Sequence, residues 1–255
     1  MEKIKSIAIA GKGGTGKTVV ATLLIRLLAE RYNNRVLAID ADSAMSLPYT
    51  LGVDVEKTVS EVRKGLVGRD QLRSNLKASP TKDMMKDILT KAEGFDLLTM
   101  GRPEEPGCFC AVNELLKYGI DSLVDDYEIT VIDGEAGPEQ LNRRVMKSID
   151  VLLVVADMSR RSLETAKSII KVAQDCDDGV NIKKVGLVLN RVRDDKLSQE
   201  MIEKIGVEIS ACLPEDSLVN SFDRSGRSLL ELPLDSECPR AISSMLDKML
   251  PQFGI

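Results

Sequence analysis

One octapeptide near the start of the chain has the residue types and spacing for phosphate chemistry. Residues 11–18 follow the apolar run Ile4–Ala10, precede a helical pattern and read Gly-Lys-Gly-Gly-Thr-Gly-Lys-Thr. Glycines at this spacing let backbone N–H groups surround nucleotide phosphates, while Lys17 reaches the outer phosphates and the Thr18 hydroxyl ligates Mg²⁺. The positive end of the following helix points at the same place. The sequence therefore predicts a P-loop whose nucleotide contacts are Gly11, Lys12, Gly13, Gly14, Thr15, Gly16, Lys17 and Thr18.

Acidic residues close two further apolar runs, at Asp40 and Asp42 and at Asp133. Ligands of open α/β sheets bind beyond the carboxyl ends of the strands. An isolated strand-terminal Asp is often only a helix cap or turn former, but the P-loop favours a magnesium role for Asp133, with Asp40 supporting the ion's ligand shell. The chain contains no histidine, so Asp42 is the candidate for positioning the attacking water. Glu135 stays ambiguous, since it either contacts that water or only lies near it.

A pair of cysteines, Cys108 and Cys110, lies in a segment rich in Pro and Gly. Two thiols in a loop that opens a helix near Ala111 can point at one position, and the positive helix end lowers a thiol pKa. Two ligands are too few for a closed tetrahedral site, whereas a two-fold dimer would supply four sulfurs. Incidental cysteines and a strained redox pair are the other readings. The isolated cysteines are expected to be small core residues: Cys176, Cys212 and Cys238.

Composition excludes several classes of function. The 255 residues are 43% hydrophobic and 29% charged, with a net charge of −5. No long basic block favours DNA or anionic membranes, no apolar stretch is long enough to span a bilayer, and the N-terminus lacks a signal-peptide core. Five scattered cysteines do not suggest a disulfide framework. We therefore expect a cytoplasmic protein with no nucleic-acid partner and no stable membrane insertion.

Apolar, β-rich runs alternate with helical patterns along the chain. This alternation predicts a single α/β domain over residues 1–255, with one doubly wound, mostly parallel sheet flanked by helices. Residues 47–93 are polar and carry no good strand, so they are predicted as a helical insertion over one edge of the sheet, with a helix at Lys82–Lys91. The predicted strands are Ile4–Ala10, Arg35–Ile39, Phe95–Met100, Ile129–Ile132, Val151–Ala156, Val185–Leu189 and Val207–Leu213. The other predicted helices are Glu114–Leu123, Glu139–Ser148, Arg161–Ala173, Lys196–Lys204 and Arg240–Leu250.

Lys12, directly after the first glycine of the P-loop, resembles the signature lysine of the deviant Walker-A ATPases, which include MinD, ParA and the nitrogenase iron protein. The resemblance implies an ATP/ADP-binding homodimer in which Lys12 crosses to the partner's nucleotide and acts in catalysis with Lys17. Asp40 and Asp42 are similar to the first switch of that group, and residues 133–137 to the second.

Two later segments resemble the adenine side of the same ATPases. Asn190 and Arg191 stand where an asparagine reads the base, and Pro214 stands in the later adenine-side loop. The resemblance therefore implies that these three residues contact the nucleotide.

Within that group, the Gly-Cys-Phe-Cys segment and residues 133–140 resemble the CooC and AcsF proteins. The resemblance implies a maturation ATPase in which Cys108 and Cys110 of two subunits hold Ni²⁺ or Zn²⁺ and assist nickel insertion into carbon monoxide dehydrogenase or acetyl-CoA synthase. The chain departs from CooC at Glu139-Gln140, where a Glu-His pair is expected.

Two alternatives remain. A positioning ATPase of the MinD/ParA kind would need a membrane-binding C-terminal helix or a basic DNA-facing surface, and neither is evident. An iron–sulfur reductase resembling the nitrogenase iron protein would need a second cysteine near residues 133–144, where the sequence has none.

Overall fold

An eight-stranded sheet organises the protein. The computed structural model describes residues 5–32, 35–62, 81–102, 109–136, 148–175, 181–193 and 208–249. The strands are β1 Ser6–Gly11, β2 Val36–Ala41, β3 Thr90–Lys91, β4 Phe95–Thr99, β5 Ile129–Gly134, β6 Ser148–Ala156, β7 Asn181–Val192 and β8 Ile209–Pro214. The α-helices are α1 Lys17–Tyr32, α2 Ser46–Leu51, α3 Thr81–Asp87, α4 Phe109–Leu123, α5 Arg160–Asp175, α6 Ser217–Ser225 and α7 Glu237–Met249.

The strand order is β3-β4-β2-β5-β1-β6-β7-β8. Every neighbouring pair is parallel except β3 and β4. Strands β1, β2 and β5 are buried along their whole length, as strands covered on both faces must be. The predicted fold class, a mostly parallel α/β sheet flanked by helices, is confirmed.

Two apolar layers cover the sheet. Side chains of β1 alternate between them, with Ile7 and Ile9 facing α1 and α7, and Ala8 and Ala10 facing α4 and α5. Helix α1 is hydrophobic around most of its circumference because it lies beneath α7 and the central strands. This packing fixes the first turn of α1 against the carboxyl end of β1, which sets the position of the P-loop.

The segment predicted as purely helical is mixed. Helix α2 and a helical stretch at 59–62 lie there, but α3 ends at Asp87 and the chain continues into β3. The predicted helix Lys82–Lys91 was wrong at its end, because Thr90 and Lys91 form β3, which is held by backbone pairing with β4 and leaves no side-chain pattern. The predicted helix at 196–204 and residues 139–147 lie outside the described residues. Whether 47–93 is an insertion into a single domain stays a prediction.

Helix α6 was not predicted. The Asp216 side chain accepts the Leu218 N–H at 2.8 Å, and Gly226 ends the helix with φ +66°. These are an N-cap and a left-handed C-cap ten residues apart, and they were the available sequence signal. Across the described part of the chain, no helix is long and apolar enough to cross a membrane.

Candidate active site

The P-loop joins the carboxyl end of β1 to the first residue of α1, at the centre of the sheet. Gly14 and Gly16 have φ +81° and +92°, a left-handed region that side chains rarely adopt. The Thr15 hydroxyl donates to the Lys12 carbonyl oxygen at 2.8 Å, which closes the turn internally. The backbone path thus requires glycine at Gly14 and Gly16, two of the glycines predicted from spacing.

The end of β7 holds the other carbonyl groups of this loop. The Asn190 amide donates to the Thr15 oxygen at 2.7 Å, and the Arg191 guanidinium donates to the Gly14 oxygen at 3.1 Å. Asn190 is buried, and its Oδ1 accepts the N–H of Arg191, whose φ is +55°. Both residues therefore support the loop through its carbonyl oxygens, a role that separations of 175 and 177 residues hid from the sequence. The predicted contact of Asn190 with adenine stays a prediction.

Asp133 is the last side chain of β5 beside the first turn of α1. It is 1% exposed, and its Oδ1 has no hydrogen-bond partner among the described residues. Burial raises its pKa to about 6, against the lowering effects of a Thr18 hydrogen bond and the Lys17 charge. A buried, unpartnered carboxylate oxygen near the P-loop hydroxyl fits Mg²⁺, which takes one or two carboxylates and keeps several waters. The predicted Thr18 and Asp133 ligands suit the ion.

Asp40 pairs in register with Asp133 and is fully buried. Its Oδ1 accepts the Asp42 N–H at 3.0 Å and its Oδ2 accepts the Leu47 N–H at 3.1 Å. Burial, then the neighbouring Asp133, raise its pKa to about 7. Both oxygens therefore hold the two ends of the loop at 42–47, and the predicted support of a magnesium shell by Asp40 stays a prediction.

Asp42 lies in that loop, partly exposed at the edge of the cleft. Its Oδ1 accepts the Ala44 N–H at 2.8 Å, and its carbonyl oxygen accepts the Met45 N–H at 3.0 Å. Met45 is left-handed, with φ +55°. A tight turn thus holds Asp42 in the lining of the same cleft as the phosphate loop, and its positioning of the attacking water stays a prediction.

A cleft of about 340 Å³ extends from the P-loop to α6. It brings together predicted residues from four distant segments, and α2, α6 and α7 add lining residues that the sequence did not indicate. The predicted residues lining it are Gly13, Gly14, Gly16, Lys17, Thr18, Asp42, Asn190, Arg191 and Pro214, and the added ones include Ser46, Thr50, Val219, Asn220, Asp223 and Cys238. A bidentate ion pair of Arg193 with Glu215 ties the Pro214 loop to β7.

Only part of the predicted thiolate pair lies within the described residues. Cys108 lies outside the described residues, while α4 begins at Phe109, so the backbone of Cys110 is in its first turn. The described residues contain no cluster of three or more His, Cys, Asp or Glu placed to hold a metal ion. Cys238 is buried as expected, but Cys212 is exposed, so the core expectation for Cys212 was wrong.

Comparison with known proteins gives a consistent result. The model of the CobQ/CobB/MinD/ParA nucleotide-binding domain matches residues 6–229. An uncharacterised ATP-binding protein of Methanocaldococcus jannaschii is 39% identical over 250 residues, covering 96% of this chain and 98% of that protein. The carbon monoxide dehydrogenase accessory protein CooC of Rhodospirillum rubrum is 26% identical over 265 residues, covering 98% and 99%. The structure of Pyrococcus horikoshii MinD with Mg-ADP superposes with a TM-score of 0.72 at 23% identity, covering 98% of both chains, which shows a shared fold.

Proposed function

The chain belongs to the CobQ/CobB/MinD/ParA family of nucleotide-binding domains and is an ATPase of the MinD/ParA type, and from this premise we propose that its ATP cycle serves the maturation of a nickel enzyme. In this proposal two copies form a cytoplasmic homodimer, and Cys108 and Cys110 of each copy bind Ni²⁺ or Zn²⁺ as cargo for carbon monoxide dehydrogenase or acetyl-CoA synthase. Similarity to CooC along nearly the whole of both chains supports this reading.

The nucleotide half of the cycle uses Lys17, Thr18 and Asp42, which line one cleft, together with neighbouring residues. Lys17 and the loop amides bind the phosphates, Lys12 reaches the partner's nucleotide, and Asp42 orients the attacking water. Thr18 and Asp133 are the residues that would hold Mg²⁺, which supplies charge neutralisation on the phosphates when bound. Asp40 keeps the Asp42 loop in place through two backbone amides.

We propose that two contacts of the chain after β4 couple this cleft to the cysteines. The Arg102 guanidinium donates to the Ser43 carbonyl oxygen at 3.3 Å, so the loop that bears Asp42 contacts the residue leaving β4 towards the cysteine segment. The Met100 N–H, two residues earlier, donates to the Asp40 backbone carbonyl oxygen at 2.9 Å. Movement of the Asp42 loop after hydrolysis therefore has a direct route to the chain before Cys108.

Metal titration of the reduced, anaerobic protein tests the proposal. Wild-type protein is expected to bind one Ni²⁺ or Zn²⁺ per two chains, measured by elemental analysis and by sizing with and without ATP. Cys108→Ala/Cys110→Ala is expected to lose the metal and to bind ADP as before, whereas Cys212→Ala, which removes an exposed thiol elsewhere, is expected to lose neither. Unchanged metal stoichiometry in the double variant would refute the site. A protein that binds no soft cation but pellets with liposomes or DNA and ATP would favour a positioning ATPase.

Arg102→Gln tests the coupling separately. It removes the guanidinium contact with Ser43 and leaves both cysteines and the P-loop intact. We expect metal affinity and basal ATP hydrolysis within about twofold of wild type, but loss of the ATP-dependent shift in metal affinity. If ATP shifts the affinity of this variant as it shifts that of wild type, the coupling runs elsewhere.

A further inference from the structure

Asp157 lies directly after β6, which is the strand between β1 and β7. Lys12 follows β1, and Arg191 lies near the end of β7. Gly11 of β1 pairs with Val155, and Leu189 of β7 pairs with Ala156. The residue that follows β6 therefore emerges between Lys12, which follows Gly11, and the end of β7. The P-loop pattern assigns Asp157 no role in nucleotide chemistry.

Local structure fixes the Asp157 carboxylate. Its Oδ1 accepts the Ser159 N–H at 2.8 Å, and its own N–H donates to the Ser162 hydroxyl oxygen at 3.0 Å, which starts helix α5. An asparagine would cap this turn equally well, because the capping bond needs only an oxygen acceptor. The turn therefore does not account for a negative charge here.

Two neighbouring cations also favour a negative charge at this position. Partial burial acts to raise the pKa of Asp157, but the Ser159 hydroxyl and amide, and then the charges of Lys12 and Arg191, bring it below its ordinary value. Arg191 is already engaged with the Gly14 oxygen. Lys12 is partly exposed, and in the described part of the chain its ammonium makes no ion pair within 4 Å. Its side chain is thus attracted to Asp157 without being locked to it.

We infer that Asp157 is the resting counter-charge of Lys12, a positioning residue that keeps this lysine in its own subunit and opposes its transfer to the nucleotide of a second copy. This rests on the homodimer proposed above. Asp157 contacts neither the phosphates nor the water in this scheme and acts only through Lys12. The expected size is that of one partly exposed charge interaction, about threefold to fivefold in an equilibrium.

Asp157→Asn removes the charge and keeps the cap, and Asp157→Ser, which also offers an oxygen, is its companion. Asp175→Asn is the matched control, because it makes the same change at the opposite end of the same helix. We expect the chain concentration giving half-maximal ATPase activity to fall about threefold to fivefold in both Asp157 variants. The maximal rate and the affinity of the monomer for ADP should stay within twofold, and the effect should shrink in 0.5 M salt.

A second measurement uses only the nucleotide-free monomer. Acylation of Lys12 by an amine-reactive ester, followed by mass spectrometry with Lys248 as internal reference, should be about twofold to fivefold faster in Asp157→Asn. Equal Lys12 reactivity in wild type and variant overturns the inference and leaves Asp157 as a helix cap only. Failure of wild-type protein to self-associate with ATP overturns the proposed dimer instead, and the acylation result then still decides whether Asp157 faces Lys12.

Discussion

Replacing Asp133 by asparagine should abolish ATP hydrolysis and make the nucleotide-free protein more stable. The carboxylate is buried beside Asp40, one of its oxygens has no partner in the described structure, and its pKa is raised to about 6. Among the described residues, the Thr18 hydrogen bond and the Lys17 charge compensate only partly for its charge. The group proposed to hold the magnesium shell is therefore a source of instability before the ligand arrives.

The magnitude follows from the pKa. A rise from 3.8 to about 6 corresponds to roughly 3 kcal/mol at about 1.4 kcal/mol per unit. Because the folded state holds the proton more tightly than the unfolded state, stability falls as pH rises from about 4 to about 6, and the penalty is complete above that range. A buried asparagine amide costs about 1–2 kcal/mol of this gain. We expect a net gain of about 1–2 kcal/mol at pH 8, roughly 2–8 °C in Tm.

Urea and thermal unfolding of the apo protein at pH 8 and at pH 4 measure this effect. Asp150→Asn is the control, since Asp150 is another buried carboxylate at the opposite end of the sheet. It accepts the Lys5 and Ser6 amides at 2.6 and 2.9 Å and pairs with Lys183 at 3.0 Å. Burial acts to raise its pKa, but these partners bring it below the ordinary value, so Asp150→Asn should destabilise at pH 8 and progressively less as pH falls.

We expect Asp133→Asn to raise the free energy of unfolding at pH 8 and Asp150→Asn to lower it. If Asp133→Asn is less stable than wild type at pH 8, the idea that an uncompensated charge sits in the apo site is wrong. If Mg²⁺ with ADP raises the Tm of the variant as much as that of wild type, Asp133 is not part of the magnesium shell.

Three further substitutions separate the parts of the site. Asp42→Asn keeps the turn to Ala44 and should lower kcat about 10²–10⁴-fold, with ADP affinity measured by calorimetry unchanged; a smaller loss would remove Asp42 from water positioning. Gly16→Ala places a Cβ against the Asn190 amide at a backbone φ of +92° and should abolish nucleotide binding in a fluorescent-nucleotide assay, so retained binding would show that the loop can adapt. Asn190→Ala leaves the buried Thr15 oxygen unpaired and should cost about 1–3 kcal/mol in urea unfolding, whereas no loss would mean that the contact is dispensable.

Most features that the sequence predicted correctly depend on residues close together in the chain. The P-loop glycines, lysine and threonine lie within eight residues, and the strands that frame them are continuous apolar runs, so each signal is contained in a short window. The two-residue β3 has no such window, because backbone pairing with the β4 edge forms it. Helix α6 carried a signal only in its caps, Asp216 and Gly226.

Side-chain roles were less predictable than side-chain positions. Asp40 was placed at the correct strand end, but nothing in the sequence indicates that its oxygens accept the Asp42 and Leu47 amides. Asn190 was assigned to the nucleotide, which stays a prediction, and the sequence did not indicate that its amide also holds a loop 175 residues away in the chain. Such roles depend on which backbone groups the tertiary fold leaves without partners, and that information appears only in three dimensions.

The two buried carboxylates, Asp40 and Asp133, also link the end of β5 to the loop that bears Asp42. The charge of Asp133 is the second largest cause of the raised pKa of Asp40, so neutralising Asp133 should move Asp40 towards its ionised form near pH 7. An ionised carboxylate accepts stronger hydrogen bonds, and Asp40 bonds both the Asp42 and the Leu47 amide. Hydrogen exchange at these two amides should therefore slow in Asp133→Asn, while the Ala44 amide, which bonds to Asp42, serves as the reference. Equal exchange at all three in variant and wild type would mean that the Asp42 loop does not respond to charge at Asp133.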